Sequence, residues 1–183
     1  MQNNNRIDTR RLALIAVMAA VVCVLSPLAI PLSAGVPLSL ATLAVMLAGA
    51  LLGPVDGLLA TLVFLALGLV GVPVFSGFQA GLGVLFGKTG GFLLGYLPLA
   101  FCSGLFRRKR WAAVSGMVLG TVILYACGIA WFLVLTHATL KLALTACVLP
   151  FLPGDALKIA VVCLLAPVLR SALDRMRSEK ITV

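Results

Sequence analysis

Apart from Asp56 in a Pro/Gly turn, five lysine, histidine and aspartate side chains lie outside the basic clusters of this sequence, and two of them have the spacing of a functional pair. They are Lys88, His137, Lys141, Asp155 and Lys158. Because Asp155 and Lys158 are three residues apart, they share one face of a helix and can form an ion pair. A carboxylate accepts hydrogen bonds from N–H groups, and an ammonium donates them to oxygen acceptors. Such a pair has the chemistry to bind a small, polar or anionic molecule.

A structural role explains the same pair equally well. Asp155 follows Pro153-Gly154 and precedes an apolar run, which is the usual position of a helix N-cap. Lys158 would then extend its ammonium towards the membrane surface. Ionisable groups at membrane depth are costly and usually face a cavity or a partner, so both interpretations stay open. For His137 and Lys141, at the end of an apolar run, a position at the membrane interface is favoured.

No motif of the sequence predicts a catalytic, nucleotide or metal site. Gly87-Lys88-Thr89 resembles the end of a phosphate-binding P-loop, which requires a glycine five residues before Gly87, but that residue is Leu82. No nucleophile stands near a base in the pattern that catalysis needs. The five cysteines are widely spaced and never form C-x-x-C. We therefore expect neither an enzyme nor a cofactor or metal site.

The elements that must position these residues are membrane-spanning helices. Of the 183 residues, 62% are apolar and 10% are charged, and the mean hydropathy is +1.20. Soluble domains have about 25% charged residues, and each membrane span takes roughly 20 residues. Six spans therefore leave no loop long enough for a soluble domain. We predict an all-α polytopic membrane protein that forms a single substrate-binding domain over residues 1–183.

Six apolar segments are the predicted spans. They cover about residues 11–31, 39–53, 55–71, 88–106, 111–136 and 154–173. A Pro/Gly/Asp cluster predicts a tight turn between the second and third segments, and a Gly-rich loop over residues 71–87 joins the third and fourth. A shorter helical run, Thr139 to Leu149, precedes the sixth. Glycines four residues apart indicate close helix packing; the pairs are Gly49/Gly53, Gly87/Gly91, Gly91/Gly95 and Gly116/Gly120.

The basic residues predict the orientation of the chain. Eleven of the 14 lysines and arginines lie in three clusters: the N-terminal tail, the loop between the fourth and fifth segments, and the C-terminal end. With six spans all three clusters fall on one side, which the positive-inside rule makes cytoplasmic. Both termini are therefore expected in the cytoplasm and the Gly-rich loop outside. The net charge of +9 then reflects topology and not a nucleic-acid partner.

Three blocks of the sequence resemble one family in the same order and spacing. The stretches Gly68–Gly77 and Gly81–Tyr96 are similar to the signature of the BioY family, the substrate-binding S components of biotin transporters of the energy-coupling factor (ECF) type. Leu149–Lys158 matches a second signature. An earlier block is matched by Pro37-Leu-Ser-Leu, Leu47-Ala-Gly and Leu52-Gly-Pro54. The similarity covers nearly the whole chain.

The resemblance implies a function for the chain and its partners. It implies six helices in a bacterial cell membrane, capture of biotin from outside, and no ATPase of its own. Transport then needs a transmembrane coupling subunit and a pair of ATP-binding-cassette ATPases. The family's A-x-x-x-A motif, where the coupling subunit docks, corresponds to Ala16 and Ala20. Membrane lipid is the remaining expected partner.

The resemblance also implies the ligand contacts. Biotin is expected to bind Asp155, Lys158, Lys88 and Gln79 in a single outward cavity. Asp155 would accept the ureido N–H groups, Lys158 would bind the ureido oxygen or the nearby ring, and Lys88 would bind the carboxylate tail. Lys88 stands where the family commonly has proline, and Ala41 stands where it often has glutamine.

Two other classes of function remain open from the sequence. One is an S component or a stand-alone importer for another small vitamin. The other is a non-transport membrane protein, such as a packing subunit.

Overall fold

The computed structural model describes residues 9–30, 36–105 and 110–178, without the side chains of 110 and 174–178. This part of the chain is predominantly helical. Its helices are α1 (Thr9–Leu25), α2 (Ala41–Leu52), α3 (Pro54–Val70), α4 (Leu82–Leu85), α5 (Gly90–Leu105), α6 (Arg110–Thr136), α7 (Leu140–Cys147) and α8 (Leu152–Ser178). Two short strands, β1 (Ala29–Ile30) and β2 (Leu38–Ser39), pair in antiparallel register.

The longer helices coincide with the six predicted apolar segments, and their ends differ. α1 ends at Leu25, because the chain turns there and then forms the β1–β2 hairpin, which the sequence did not predict. α5 begins at Gly90, so Lys88 precedes the helix. α8 begins at Leu152 and extends to Ser178. Residue 31 of the first segment, residue 106 of the fourth and the basic residues 6, 107–109 and 180 lie outside the described ranges.

Glycines allow the helices to approach one another closely. α5 packs against α6, α2 and α3. A Cβ atom added to Gly49 in α2 would collide with the carbonyl oxygen of Ala100 in α5, and one added to Gly95 would lie 2.8 Å from Leu124 Cδ1 in α6. The predicted packing role is confirmed at these glycines. The tight turn is confirmed as well, since only Gly53, with φ of 101°, separates α2 from α3.

Two described helices contain stretches that are long and apolar enough to cross a membrane. They are Trp111–Thr136 in α6, with a mean hydropathy of 2.3, and Leu152–Leu173 in α8, with a mean hydropathy of 1.9. The apolar helices α2, α3 and α5 are shorter. Large apolar side chains also cover the outside of the bundle; Val70, Val134 and Leu164 are exposed. Apolar surface of this extent fits a membrane protein.

Three connections between the long helices meet at one end of the bundle. They are residues 26–30 with 36–40, residues 71–89 with α4, and residues 137–151 with α7. The first two are joined by the N–H of Gly77, which donates to the carbonyl oxygen of Pro27 at 3.1 Å. The second is also tied to α3, because Gly81 N–H donates to Gly68 O at 2.7 Å. The candidate site lies beneath these connections.

Candidate functional site

A cavity of about 50 Å³ lies between the three connections and the helix ends. Pockets for small ligands are mostly apolar, with a few polar groups that orient the ligand. The apolar wall includes Val36, Phe75, Phe92, Leu93, Leu124 and Phe151. The buried polar groups come from five elements and are Ser39, Thr42, Tyr96, Tyr125, Asp155 and Lys158.

Asp155 is the acidic residue of this cavity, and it does not cap α8. Its backbone N–H donates to the carbonyl oxygen of Phe151 at 2.8 Å, so it lies within the first turn of a helix that begins at Leu152. The cap interpretation is therefore wrong. The residue is only 3% exposed, and the positive end of the α8 dipole stabilises its carboxylate.

The Asp155 carboxylate joins three helices. Its Oδ2 accepts a hydrogen bond of 2.5 Å from the hydroxyl of Tyr125 in α6. Its Oδ1 accepts from Lys158 Nζ at 3.0 Å and from Thr42 Oγ1 in α2 at 3.3 Å. Hydrogen bonds to a charged group are among the stronger ones in proteins, so these contacts hold the carboxylate in one orientation.

Lys158 is fully engaged by protein acceptors. It is 7% exposed, and its Nζ donates to Ser39 O at 2.7 Å, to Thr42 Oγ1 at 2.8 Å and to Asp155 Oδ1 at 3.0 Å. An ammonium has three N–H donors, so all of them are used. The predicted pairing of Asp155 with Lys158 is confirmed.

Ser39 connects the N-terminus of α2 to the cluster of Asp155, Lys158 and Thr42. Its hydroxyl accepts from the N–H of Ala41 at 2.9 Å and donates to the carbonyl oxygen of Ser26 at 2.7 Å. The hydroxyl thus satisfies one of the unpaired N–H groups at the start of a helix, and the Ser39 carbonyl is left to accept from Lys158. Neither Ser39 nor Thr42 was predicted from the sequence as a site residue.

Tyr125 was missed as well, although the sequence contains a signal for it. It is one of two tyrosines in the chain and lies in the middle of an apolar segment. A buried tyrosine hydroxyl usually needs a hydrogen-bond partner, which would have predicted a polar group facing it.

The remaining predicted binding residues lie nearer the surface. Gln79 is exposed at the cavity mouth, where its carbonyl oxygen accepts from Phe75 N–H at 3.0 Å. Lys88 is exposed in the turn before α5 and lines an adjoining outer pocket, which shares Gln79 and Thr89 with the cavity. Lys88 therefore lies beside the buried cavity and not among its lining residues, because it precedes α5 in an exposed turn. Lys141 is exposed on α7.

The predicted docking residues share the outer face of α1. Ala16 and Ala20 are exposed, while Ala19 between them is 2% exposed and packs in the core. The face therefore presents two small side chains to the surroundings of the bundle.

Comparisons with known proteins agree on one family. A sequence model of the BioY family matches residues 1–175. The biotin transporter BioY of Rhodobacter capsulatus is 43% identical over 173 residues, covering 86% of this chain and 91% of that protein. BioY2 of Lactococcus lactis, also a biotin transporter, is 36% identical over 167 residues, covering 89% of this chain and 91% of that protein.

A solved structure has the same fold. The crystal structure of the S component for biotin from an ECF-type ABC transporter superposes with a TM-score of 0.83 at 29% identity. The match covers 93% of this chain and 95% of that one. The predicted family resemblance is confirmed.

Proposed function

The chain belongs to the BioY family, and on this premise we propose that it captures biotin from outside the cell as the S component of an ECF transporter. The observation that supports this most is the buried Asp155 cluster at the base of an apolar cavity. A bicyclic ligand with a polar ring and an apolar ring needs this combination of surfaces.

Biotin has groups that match the cavity. Its ureido ring has two N–H donors and one carbonyl acceptor, its sulfur ring is apolar, and its tail ends in a carboxylate. Each carboxylate oxygen of an aspartate has about two acceptor positions, and Tyr125 occupies one on Oδ2 of Asp155. The second can accept a ureido N–H. The surrounding phenylalanine rings would cover the sulfur ring.

The other predicted binding residues would contact different parts of biotin, according to their depth in the cavity. Lys158 forms an ion pair with Asp155 and holds its carboxylate in place beside the ureido group. Gln79 lines the mouth, and Lys88 lies just outside it. With the ureido ring at Asp155, the carboxylate tail would extend through the mouth towards the Lys88 ammonium. The tail is then recognised near the surface and the ring system in the interior.

The proposed setting is a multi-pass position in the bacterial cell membrane, with six spans and both termini in the cytoplasm. A helix rises 1.5 Å per residue, so the 27 residues of α6 reach about 40 Å, enough for a hydrocarbon core of about 30 Å. The 12 residues of α2 reach only about 18 Å. The β1–β2 hairpin before α2 would complete this span, since irregular backbone is tolerated at membrane depth where it lines a cavity.

The proposed partners act at the other faces of the molecule. Lipid would contact the exposed apolar side chains. The Ala16/Ala20 face would receive the transmembrane coupling subunit, because small residues permit close helix approach in a membrane. A pair of ATP-binding-cassette ATPases would supply energy through that subunit, and this chain would neither catalyse a reaction nor bind a cofactor.

Isothermal titration calorimetry of the detergent-purified full chain tests the proposal. Biotin should bind with one site per chain, while riboflavin and thiamine should release no binding heat. Binding of either vitamin in place of biotin would assign the chain to another substrate. Failure to bind any of the three would contradict a role in vitamin capture.

A further inference from the structure

Tyr96 has an unused hydroxyl in the wall of the cavity. The residue lies in α5, is 7% exposed and lines the same cavity as Asp155. Its ring packs against Phe64, with 6.4 Å between the ring centroids. Within the described ranges, its hydroxyl makes no hydrogen bond. A buried tyrosine hydroxyl usually has a partner, so this donor is available to something that enters the cavity.

The hydroxyl opens on the cavity and is not enclosed by protein. Among the described side chains, Ser103 Oγ is the one oxygen that is completely enclosed and has no hydrogen-bond partner. The Tyr96 hydroxyl oxygen also has no partner, but it differs from Ser103 Oγ because it retains accessible surface. Since Tyr96 lines the cavity, a ligand in the cavity can reach that oxygen.

The other hydrogen-bond donors in the buried part of the cavity are committed. Tyr125 and Thr42 donate to Asp155, and the Ser39 hydroxyl donates to Ser26. Lys158 uses its three N–H groups on protein acceptors. Apart from the half-buried hydroxyls of Ser76 and Thr89, a carbonyl that enters this region must therefore take a donor from an existing bond or use Tyr96. A buried carbonyl left without a donor costs free energy.

We propose that the Tyr96 hydroxyl donates a hydrogen bond to the ureido oxygen of bound biotin. The proposal rests on the proposed function and deepens it. It gives to Tyr96 the ureido oxygen, which was one of the two contacts predicted for Lys158. Asp155 and Tyr96 would then act as an acceptor and a donor on opposite edges of the ureido ring, while Lys158 positions Asp155.

Tyr96→Phe tests the proposal, with Tyr125→Phe as the matched control. Tyr96→Phe should weaken biotin binding about threefold to tenfold, the effect of one neutral hydrogen bond. The thermal stability of the ligand-free protein should stay unchanged, because no bond within the protein is lost. Tyr125→Phe should lower that stability, because its hydroxyl binds Asp155. Wild-type affinity in Tyr96→Phe, or a loss of stability equal to that of the control, would overturn the proposal.

A second ligand tests the ureido oxygen itself. In 2-thiobiotin a sulfur atom, a weaker hydrogen-bond acceptor, replaces this oxygen. If Tyr96 donates to the oxygen, Tyr96→Phe should affect 2-thiobiotin less than biotin, and the difference is the coupling in a double-mutant cycle. Equal losses for both ligands would show that the hydroxyl binds elsewhere. Failure of the wild-type chain to bind biotin would instead contradict the proposed function.

A spectroscopic measurement covers the case in which Tyr96→Phe does not fold. The chain has two tyrosines, so ring-carbon-labelled tyrosine gives two NMR signals, which Tyr125→Phe assigns. Biotin should shift the Tyr96 ζ-carbon signal of the wild-type protein more than 2-thiobiotin does. Equal shifts with the two ligands, or no shift with biotin, would overturn the proposal.

Discussion

Tyr125 and Asp155 are joined by a hydrogen bond of 2.5 Å that connects the middle of α6 to the first turn of α8. Thr42 extends the connection to α2 through the other carboxylate oxygen. One buried carboxylate therefore links three helices and also forms the base of the ligand cavity. Substitutions at this point are expected to change stability and binding together, and matched variants are needed to separate the two.

Tyr125→Phe should destabilise the ligand-free protein. The substitution removes one hydrogen bond to a charged group, which contributes about 1.5–3 kcal/mol, and it retains the ring in the cavity wall. We expect a lower unfolding temperature in detergent. An unfolding temperature equal to that of the wild type would mean that the bond contributes nothing to the fold.

Asp155→Ala should abolish or strongly weaken biotin binding. The variant loses the acceptor for the ureido N–H, which weakens binding about tenfold to a hundredfold. It also leaves Lys158 as an uncompensated buried charge, and breaking a buried ion pair costs about 3–5 kcal/mol of stability. Calorimetry with biotin and thermal unfolding measure the two effects.

The double variant Asp155→Ala/Lys158→Met separates stability from binding. Removing both charges should restore much of the unfolding temperature, because no unpaired charge remains, whereas biotin binding should stay weak. Recovery of binding together with stability would show that Asp155 only supports the fold.

Lys88→Ala should discriminate between ligands that differ at the tail. Lys88 lies outside the buried cavity in the adjoining pocket, where it would meet only the carboxylate. The variant should weaken biotin several-fold, because an exposed charge pair contributes about 0.2–1 kcal/mol, and leave an uncharged biotin amide unaffected. Equal losses for the acid and the amide, measured by calorimetry, would reject the carboxylate assignment.

Replacing Ala16 and Ala20 together with leucine should stop ATP-driven biotin uptake and leave biotin binding intact. Both residues are exposed on α1, so the larger side chains would block a docking helix without entering the core. Uptake by vesicles that contain the whole transporter and calorimetry of the isolated chain give the two readouts.

Ala19→Leu is the matched control for this variant. Ala19 is 2% exposed, so the same substitution overpacks the core and should lower the unfolding temperature. Loss of biotin binding in the Ala16/Ala20 variant would instead show that this face is internal.

Cysteine labelling tests the orientation in the membrane. A cysteine at position 109 should react only from the cytoplasmic side, because six spans place that basic loop inside. A cysteine at position 79 should react from outside, and biotin should slow the reaction because Gln79 lines the cavity mouth. Labelling of position 109 from outside would contradict six spans with cytoplasmic termini.

The sequence alone predicted the helices, the family and the central ion pair. Long apolar segments and the spacing of Asp155 and Lys158 are local properties, because a helix brings residues three apart to one face whatever surrounds it. Proline and glycine between residues 53 and 57 predicted the turn, because a turn is also a local property of the sequence.

The tertiary structure alone decided which side chains meet at the site. Thr42 and Asp155 are 113 residues apart in sequence, and they meet because α8 packs against α2. Neither apolar periodicity nor motif spacing indicates that two residues so far apart in sequence come into contact. Tertiary packing also surrounds Asp155 with hydrogen-bond partners, so that it does not act as a helix cap. Lys88 lies outside the cavity, and the Tyr96 hydroxyl lies in the cavity wall without a partner from the described chain.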